Sequence, residues 1–277
     1  MSGGSIASLT ADRLDALRTE GRAVLVGYLP LGFPDVAGSI AAAKAMVEAG
    51  VDVVELGVPY SDPVMDGLII QRAVEHALAG GSRVHDVFGA VEQIAEAGAP
   101  VLVMTYWNPV MHYGVDAFAR DLAAAGGAGL ITPDLVPDEA AEWLVASDAH
   151  GLDRVFLVAP SSTPERLEST SAASRGFVYA ASTMGVTGER TTLGARARDL
   201  VADTRRAGAE RVCVGLGVSR PEQAADVASY ADGVIVGSAL VRALLENDGI
   251  AAGITALTTV TEGLAAGVRS ADRTITR

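Results

Sequence analysis

Lysine is almost missing from this chain: Lys44 is the only one in 277 residues. It falls inside an Ala-rich stretch of helical period, 36–49, away from any strand end, so a Schiff-base mechanism has no nucleophilic amine to use. The four histidines, His76, His85, His112 and His150, lie in helical or helix-flanking sequence, and no two have the spacing of a metal site. Cys213 is the one cysteine, so no internal disulfide can form; it sits in the apolar run 211–215 and reads as a core residue. Aromatics make up 5% of a chain that is 49% hydrophobic, so small and branched aliphatic side chains must fill the core. Positive charge is also short. A net charge of −13 offers no basic face for nucleic acid or an anionic membrane, and a negative substrate must be caught locally. No apolar run reaches the roughly 18 residues of a membrane span, and the first residues, MSGGSIASLT, lack a basic segment followed by an apolar one, so a cytoplasmic protein is expected. No Gly-x-Gly-x-x-Gly follows the first strand, which leaves a dinucleotide cofactor without its phosphate turn.

What the chain does contain is an alternation. Short apolar, β-branched runs at 23–28, 51–56, 101–106, 129–132, 154–158, 177–181, 211–214 and 233–236 are separated by Ala-rich stretches of helical period, such as 36–49, 115–124, 137–149 and 221–229. Strands that are apolar at nearly every position, each followed by a helix, predict a parallel sheet covered on both faces. Eight of them predict a closed (β/α)8 TIM barrel, here with an extra N-terminal helix near 8–20 and an extra C-terminal helix near 249–265. One domain is expected across 1–277, with a polar, frayed tail at 269–277. Two strand-to-helix connections are long, 57–67 and 182–194, and loops at that end of a barrel are where chemistry is expected.

Glu55 ends an otherwise apolar strand and alternates with Val54 and Leu56, so it faces the barrel interior. Burial raises a carboxyl pKa toward the range useful for proton transfer near neutrality. Asp66 follows eleven residues later in a loop with two prolines, long enough to fold back over the barrel mouth; Asp62, directly before Pro63, has the place of a turn former. Glycines recur after the late strands, at Gly185 and Gly188, Gly215 and Gly217, and Gly233 and Gly237 next to Ser238. Such turns opening helices bind a phosphate dianion through backbone N–H groups, with no need of lysine.

The segments Val54-Glu-Leu-Gly-Val-Pro-Tyr-Ser-Asp-Pro63 with Asp66-Gly67, Met104-Thr-Tyr-Trp-Asn-Pro109, Pro133-Asp-Leu135, Gly185-Val-Thr-Gly188 and Asp232-Gly-Val-Ile-Val-Gly-Ser238 resemble the tryptophan synthase alpha subunit family, in order from about Gly27 to Val241. The resemblance implies an aldolase-type carbon–carbon lyase of tryptophan biosynthesis that cleaves indole-3-glycerol phosphate to indole and glyceraldehyde 3-phosphate. It implies Glu55 and Asp66 as the catalytic pair, Tyr28, Ile70 and Leu216 around the indole, and Tyr179 as an active-site tyrosine. Tyr106, Thr187, Gly188, Gly217, Gly237 and Ser238 are further substrate-binding positions on the same grounds. It implies no metal and no cofactor in this chain, and an alpha2beta2 heterotetramer with a beta subunit that carries pyridoxal phosphate. The chain departs from the family's usual residues at Thr183, Leu68 and Leu216. A lyase acting alone and a weakly catalytic activator subunit stay open beside the main reading, although retention of both carboxylates argues against the activator. For the docking face the expectation is a rigid apolar set from two mouth loops: Pro59, Pro63, Trp107 and Pro109.

Overall fold

A computed structural model describes residues 7–181, 190–215 and 217–273. Its parallel strands are β1 (Val24–Pro30), β2 (Val53–Gly57), β3 (Val101–Met104), β4 (Gly129–Ile131), β5 (Asp153–Val155), β6 (Leu157–Val158), β7 (Val178–Ala181), β8 (Val212–Gly215) and β9 (Gly233–Val236). The sheet order is β5-β4-β3-β2-β1-β9-β8-β7-β6, so its two ends are β5 and β6, separated by Phe156 alone. The strand expected at 154–158 is therefore broken in two, and nine segments occupy the eight places of a barrel. Phe156 still takes part across the break, its carbonyl accepting from the Tyr179 amide at 3.0 Å.

The helices are α1 (Leu9–Thr19), α2 (Val36–Glu48), α3 (Leu68–Ala79), α4 (Asp86–Ala95), α5 (Trp107–Tyr113), α6 (Val115–Ala124), α7 (Ala141–Ala149), α8 (Pro164–Ala173), α9 (Arg190–Arg206), α10 (Pro221–Ala228), α11 (Ser238–Leu245) and α12 (Ile250–Arg269). Their starts follow local chemistry: Ser8 accepts from the Ala11 amide at 3.0 Å and Asp35 from the Gly38 amide at 2.7 Å, which satisfies donors that a first turn leaves open. Residues 107–109, expected in a loop, instead open α5. The cap comes from a distant segment, since both Asp134 carboxylate oxygens accept from the Trp107 amide at 2.9 and 3.1 Å, and Pro109 is tolerated in the first turn. Helix α12 is long and apolar enough to cross a membrane by composition, but Leu257, Leu264, Ala265 and Val268 are buried against the barrel, where it packs on α10, α11 and α2.

Period-two alternation divides the core. Val24 and Val26, Val53, Leu102, Ile131, Val155, Phe177, Cys213 and Ile235 point into the barrel and form one cluster, while the intervening residues pack under the helices. Leu14 and Leu17 of α1 join the interior cluster, so α1 plugs the N-terminal end. Three buried aspartates at the starts of strands hold it there. The Arg13 guanidinium pairs with Asp52 at 3.0 Å, the Thr10 amide donates to Asp153 at 3.1 Å, and Arg18 pairs with Asp232 at 3.3 Å. Asp232 also accepts from the Val212 amide and from Arg205, each at 2.9 Å, and lies 3.8 Å from Arg273. The segment beyond α12 is thus tied to the barrel at Arg273, whose side chain is buried.

Asp232→Ala should destabilise the fold by about 2–4 kcal/mol, somewhat less than the roughly 3–5 kcal/mol for breaking a fully buried pair because Arg18 and Arg205 are partly exposed. Urea unfolding at neutral pH measures it, and a loss below about 1 kcal/mol would contradict the role given to this network.

Candidate active site

At the opposite, C-terminal end the interior positions continue beyond the packed layers into a cavity of about 210 Å³. From Val24 and Val26 the inward period reaches Tyr28; from Val53, Glu55; from Leu102, Met104; from Val155, Leu157; from Phe177, Tyr179 and Ala181; from Cys213, Gly215 and Gly217; and from Ile235, Gly237. Met65, Asp66 and Gly67 of the β2–α3 loop, Ile70 of α3 and Ser238 of α11 complete the lining, which contains no lysine or arginine among the described residues. A larger cleft of about 410 Å³ lies at the α1 end, but its arginines are committed, Arg175 to Asp148 at 2.6 Å and Arg211 to Asp15 at 2.5 Å. The reactive groups are in the smaller cavity.

Glu55 is 1% exposed, and its Oε2 has no hydrogen-bond partner among the described residues. Burial, and after it the charge of Asp66, pushes its carboxyl up to about 8. Glu55 is therefore a protonated acid at neutral pH. Asp66 is half-buried; burial raises its pKa as well, while the nearby Tyr106 hydroxyl pulls it back. Two carboxyl groups held in different surroundings can divide the tasks of proton donor and fixed negative charge.

Two tyrosines stand over glycines. A Cβ on Gly57 would lie 2.5 Å from the Tyr28 hydroxyl, and one on Gly215 would lie 2.5 Å from that of Tyr179, so each ring occupies space that only glycine leaves open. Burial first, then nearby Asp66 and Glu55, keeps the Tyr28 phenol neutral; burial and Glu55 do the same for Tyr179. On the far side, Gly217 has a left-handed backbone (φ +67), and Gly237 precedes α11 with no side chain capping that helix. The start of α11, at Gly237 and Ser238, borders the cavity.

Of the residues expected at the site, Glu55, Asp66, Tyr28, Ile70, Tyr179, Gly217, Gly237 and Ser238 come together around this cavity. Tyr106 does not line it. Thr187, Gly188 and Leu216, together with Thr183, lie outside the described residues. Met104, Leu157, Ala181 and Ile235 line the cavity and were not among the expected residues, whereas Gly215 belongs to an expected glycine turn. The signal was present for Met104 and Leu157, each the next inward position after an apolar interior residue, Leu102 and Val155. His76 and the other histidines take no part, and no group of three or more metal-binding side chains occurs among the described residues. On the mouth face, Pro59 and Pro109 are buried and Trp107 packs against the core, so the exposed apolar side chains there are Val64, Met65, Leu68 and Met111 instead.

A parallel α/β barrel with unlike carboxyl groups at its C-terminal mouth defines an acid–base barrel enzyme. Residues 14–269 match the family described as tryptophan synthase alpha chain. The alpha chain of Mycobacterium marinum is 63% identical over 263 residues, 95% of this chain and 96% of that one, and that of Salinispora arenicola is 64% identical over 256 residues, 92% and 96%. A solved tryptophan synthase from Mycobacterium tuberculosis superposes with a TM-score of 0.88 at 60% identity, covering 95% of this chain and 99% of that chain. The chain belongs to the tryptophan synthase alpha chain family.

The buried acid has a signature in stability. Its pKa is raised on folding, so the protonated form stabilises the fold below the unfolded value near 4.5 and that contribution is lost as pH rises toward about 8. Glu55→Gln should therefore gain stability over the parent by about 1.4 kcal/mol per pH unit across that window, with no further gain above it. Urea unfolding of both proteins from pH 4 to 9 measures this, and a difference independent of pH would contradict it.

Proposed function

We propose that this chain is a tryptophan synthase alpha subunit that cleaves indole-3-glycerol phosphate to indole and glyceraldehyde 3-phosphate, with Glu55 as the acid–base group. The observation that carries the reading is a buried carboxyl, its Oε2 without a partner among the described residues, that lines one cavity together with Asp66. Neutral Glu55 donates its proton to indole C3. The positive charge that develops on the ring is stabilised by ionised Asp66 beside the indole N–H, an interaction strong in a site with few waters. The bond from C3 to the glycerol carbon then breaks, its electron pair restores the indole, and the adjacent hydroxyl becomes the aldehyde. The Glu55 carboxylate left by the first transfer is the base at hand for that hydroxyl proton, so the cycle is proton-neutral.

The indole would lie among Tyr28, Ile70 and Tyr179, and the phosphate against the amides at Gly217, Gly237 and Ser238. Backbone binding of the dianion agrees with a lining that lacks lysine and arginine among the described residues and with the open start of α11. The chain needs no cofactor in this scheme; pyridoxal phosphate belongs to a beta subunit. The exposed side chains of Val64, Met65, Leu68 and Met111 make the mouth face the proposed docking surface for that subunit in an alpha2beta2 assembly. Residues 1–277 act as one barrel unit in this reading, and the chemistry fits a cytoplasmic biosynthetic enzyme.

Indole release from indole-3-glycerol phosphate tests the assignment, measured with and without a beta subunit. Glu55→Gln should lower it at least about a hundredfold, the usual scale for a general acid–base group; retention of more than a tenth would overturn the role of Glu55. Gly217→Glu places a strained side chain and a negative charge at the phosphate turn, and should weaken binding of substrate and of glycerol 3-phosphate together, by about tenfold or more. Calorimetric titration with glycerol 3-phosphate measures it, and unchanged affinity would remove the phosphate assignment.

A further inference from the structure

Tyr106 is 5% exposed and continues the inward period of β3 past Leu102 and Met104, yet it does not border the cavity. Its hydroxyl is occupied. It accepts from the Val64 amide at 3.1 Å and the Met65 amide at 3.0 Å, and the next residue in the loop is Asp66. A phenol oxygen has two lone pairs, so these two amides fill its acceptor capacity. The ring is fixed as well: it stacks on Tyr60 with centroids 5.2 Å apart, and the Tyr60 hydroxyl accepts from Asn108 at 3.2 Å. On the other flank of Asp66, Gln71 donates to its backbone carbonyl at 2.7 Å. The loop between β2 and α3 is thus gathered at one phenol that grows from a neighbouring strand.

We propose that Tyr106 is a positioning residue: its hydroxyl draws the Val64 and Met65 amides to a single point, folding the 57–67 loop so that Asp66, the next residue, faces the cavity. The clamp is a claim about the loop alone. Its effect on turnover rests on the reading of Asp66 as the charge beside the indole nitrogen.

Tyr106→Phe keeps the ring and its stack and removes only the hydroxyl. In the parent chain, NMR hydrogen exchange should show the Val64 and Met65 amides protected, and in the variant both should exchange at least about tenfold faster. Turnover should fall about ten- to a hundredfold, as expected for a misplaced reacting group, with the affinity for glycerol 3-phosphate unchanged. The ionisable groups facing Asp66 are Glu55 of β2, Tyr28 of β1 and Tyr106 itself, with Asp134 beyond Tyr106. The Tyr106 hydroxyl holds the pKa of Asp66 down, so its removal should move the acid limb of the kcat profile to higher pH. Unprotected amides in the parent, or exchange unaltered by the substitution, would overturn the clamp without any reference to activity. Faster exchange with turnover and acid limb unchanged would overturn the positioning role, and a raised KM at constant kcat would make Tyr106 a substrate contact instead. Full activity in Asp66→Asn would instead refute the role given to Asp66, leaving the clamp to be judged by exchange.

Discussion

The withdrawal of one carboxyl group from water governs the active end of this barrel. Glu55 lies at the depth where the packed interior of the barrel gives way to the cavity, above layers of valine, leucine and isoleucine, in a lining it shares with Tyr28 and Tyr179. Nothing cationic among the described lining residues compensates its charge, so the proton stays on, and the nearby Asp66 strengthens that preference. The shortage of positive side chains, visible first as a single lysine, is thus part of how the acid is made. An arginine or lysine beside Glu55 would hold it ionised and remove the donor.

The two ends of the barrel solve opposite electrostatic problems. At the N-terminal end Asp52, Asp153 and Asp232 are buried but paired with arginines or with backbone amides, an arrangement that fastens α1 over the opening. At the C-terminal end Glu55 and Asp66 are left without cationic partners among the described lining residues, and Glu55 Oε2 is without any described hydrogen bond. Burying an unpartnered polar group costs stability, and such groups are kept where function requires them. The firm plug at one end helps the fold to tolerate that cost at the other.

Much of this was legible in the sequence, and for identifiable reasons. The barrel followed from apolar runs alternating with helical stretches, and Glu55 from a single charge breaking the apolar alternation of β2. The break at Phe156 was not legible, because 154–158 reads as one continuous apolar strand and the interruption is set by neighbouring strands. Helix α5 was hidden for a similar reason: its cap, Asp134, is 27 residues away in sequence. The apolar set at the mouth was misjudged because composition does not reveal burial. Trp107 and Pro109 turned inward with α5, leaving the loop residues Val64 and Met65, with Leu68, on the outside. Tyr106 could be placed on the inward face by counting, but the direction of its hydroxyl depends on a loop whose path no local pattern predicts.

The central claim is that the barrel interior keeps Glu55 protonated at neutral pH, and it can be measured without substrate or partner. Carbon-detected NMR titration of glutamate side-chain carboxyls, with the Glu55 resonance assigned by its absence from Glu55→Gln, reports the group directly. The account predicts a transition near pH 8, and an acid ionising near 4.5 like an exposed glutamate would contradict it.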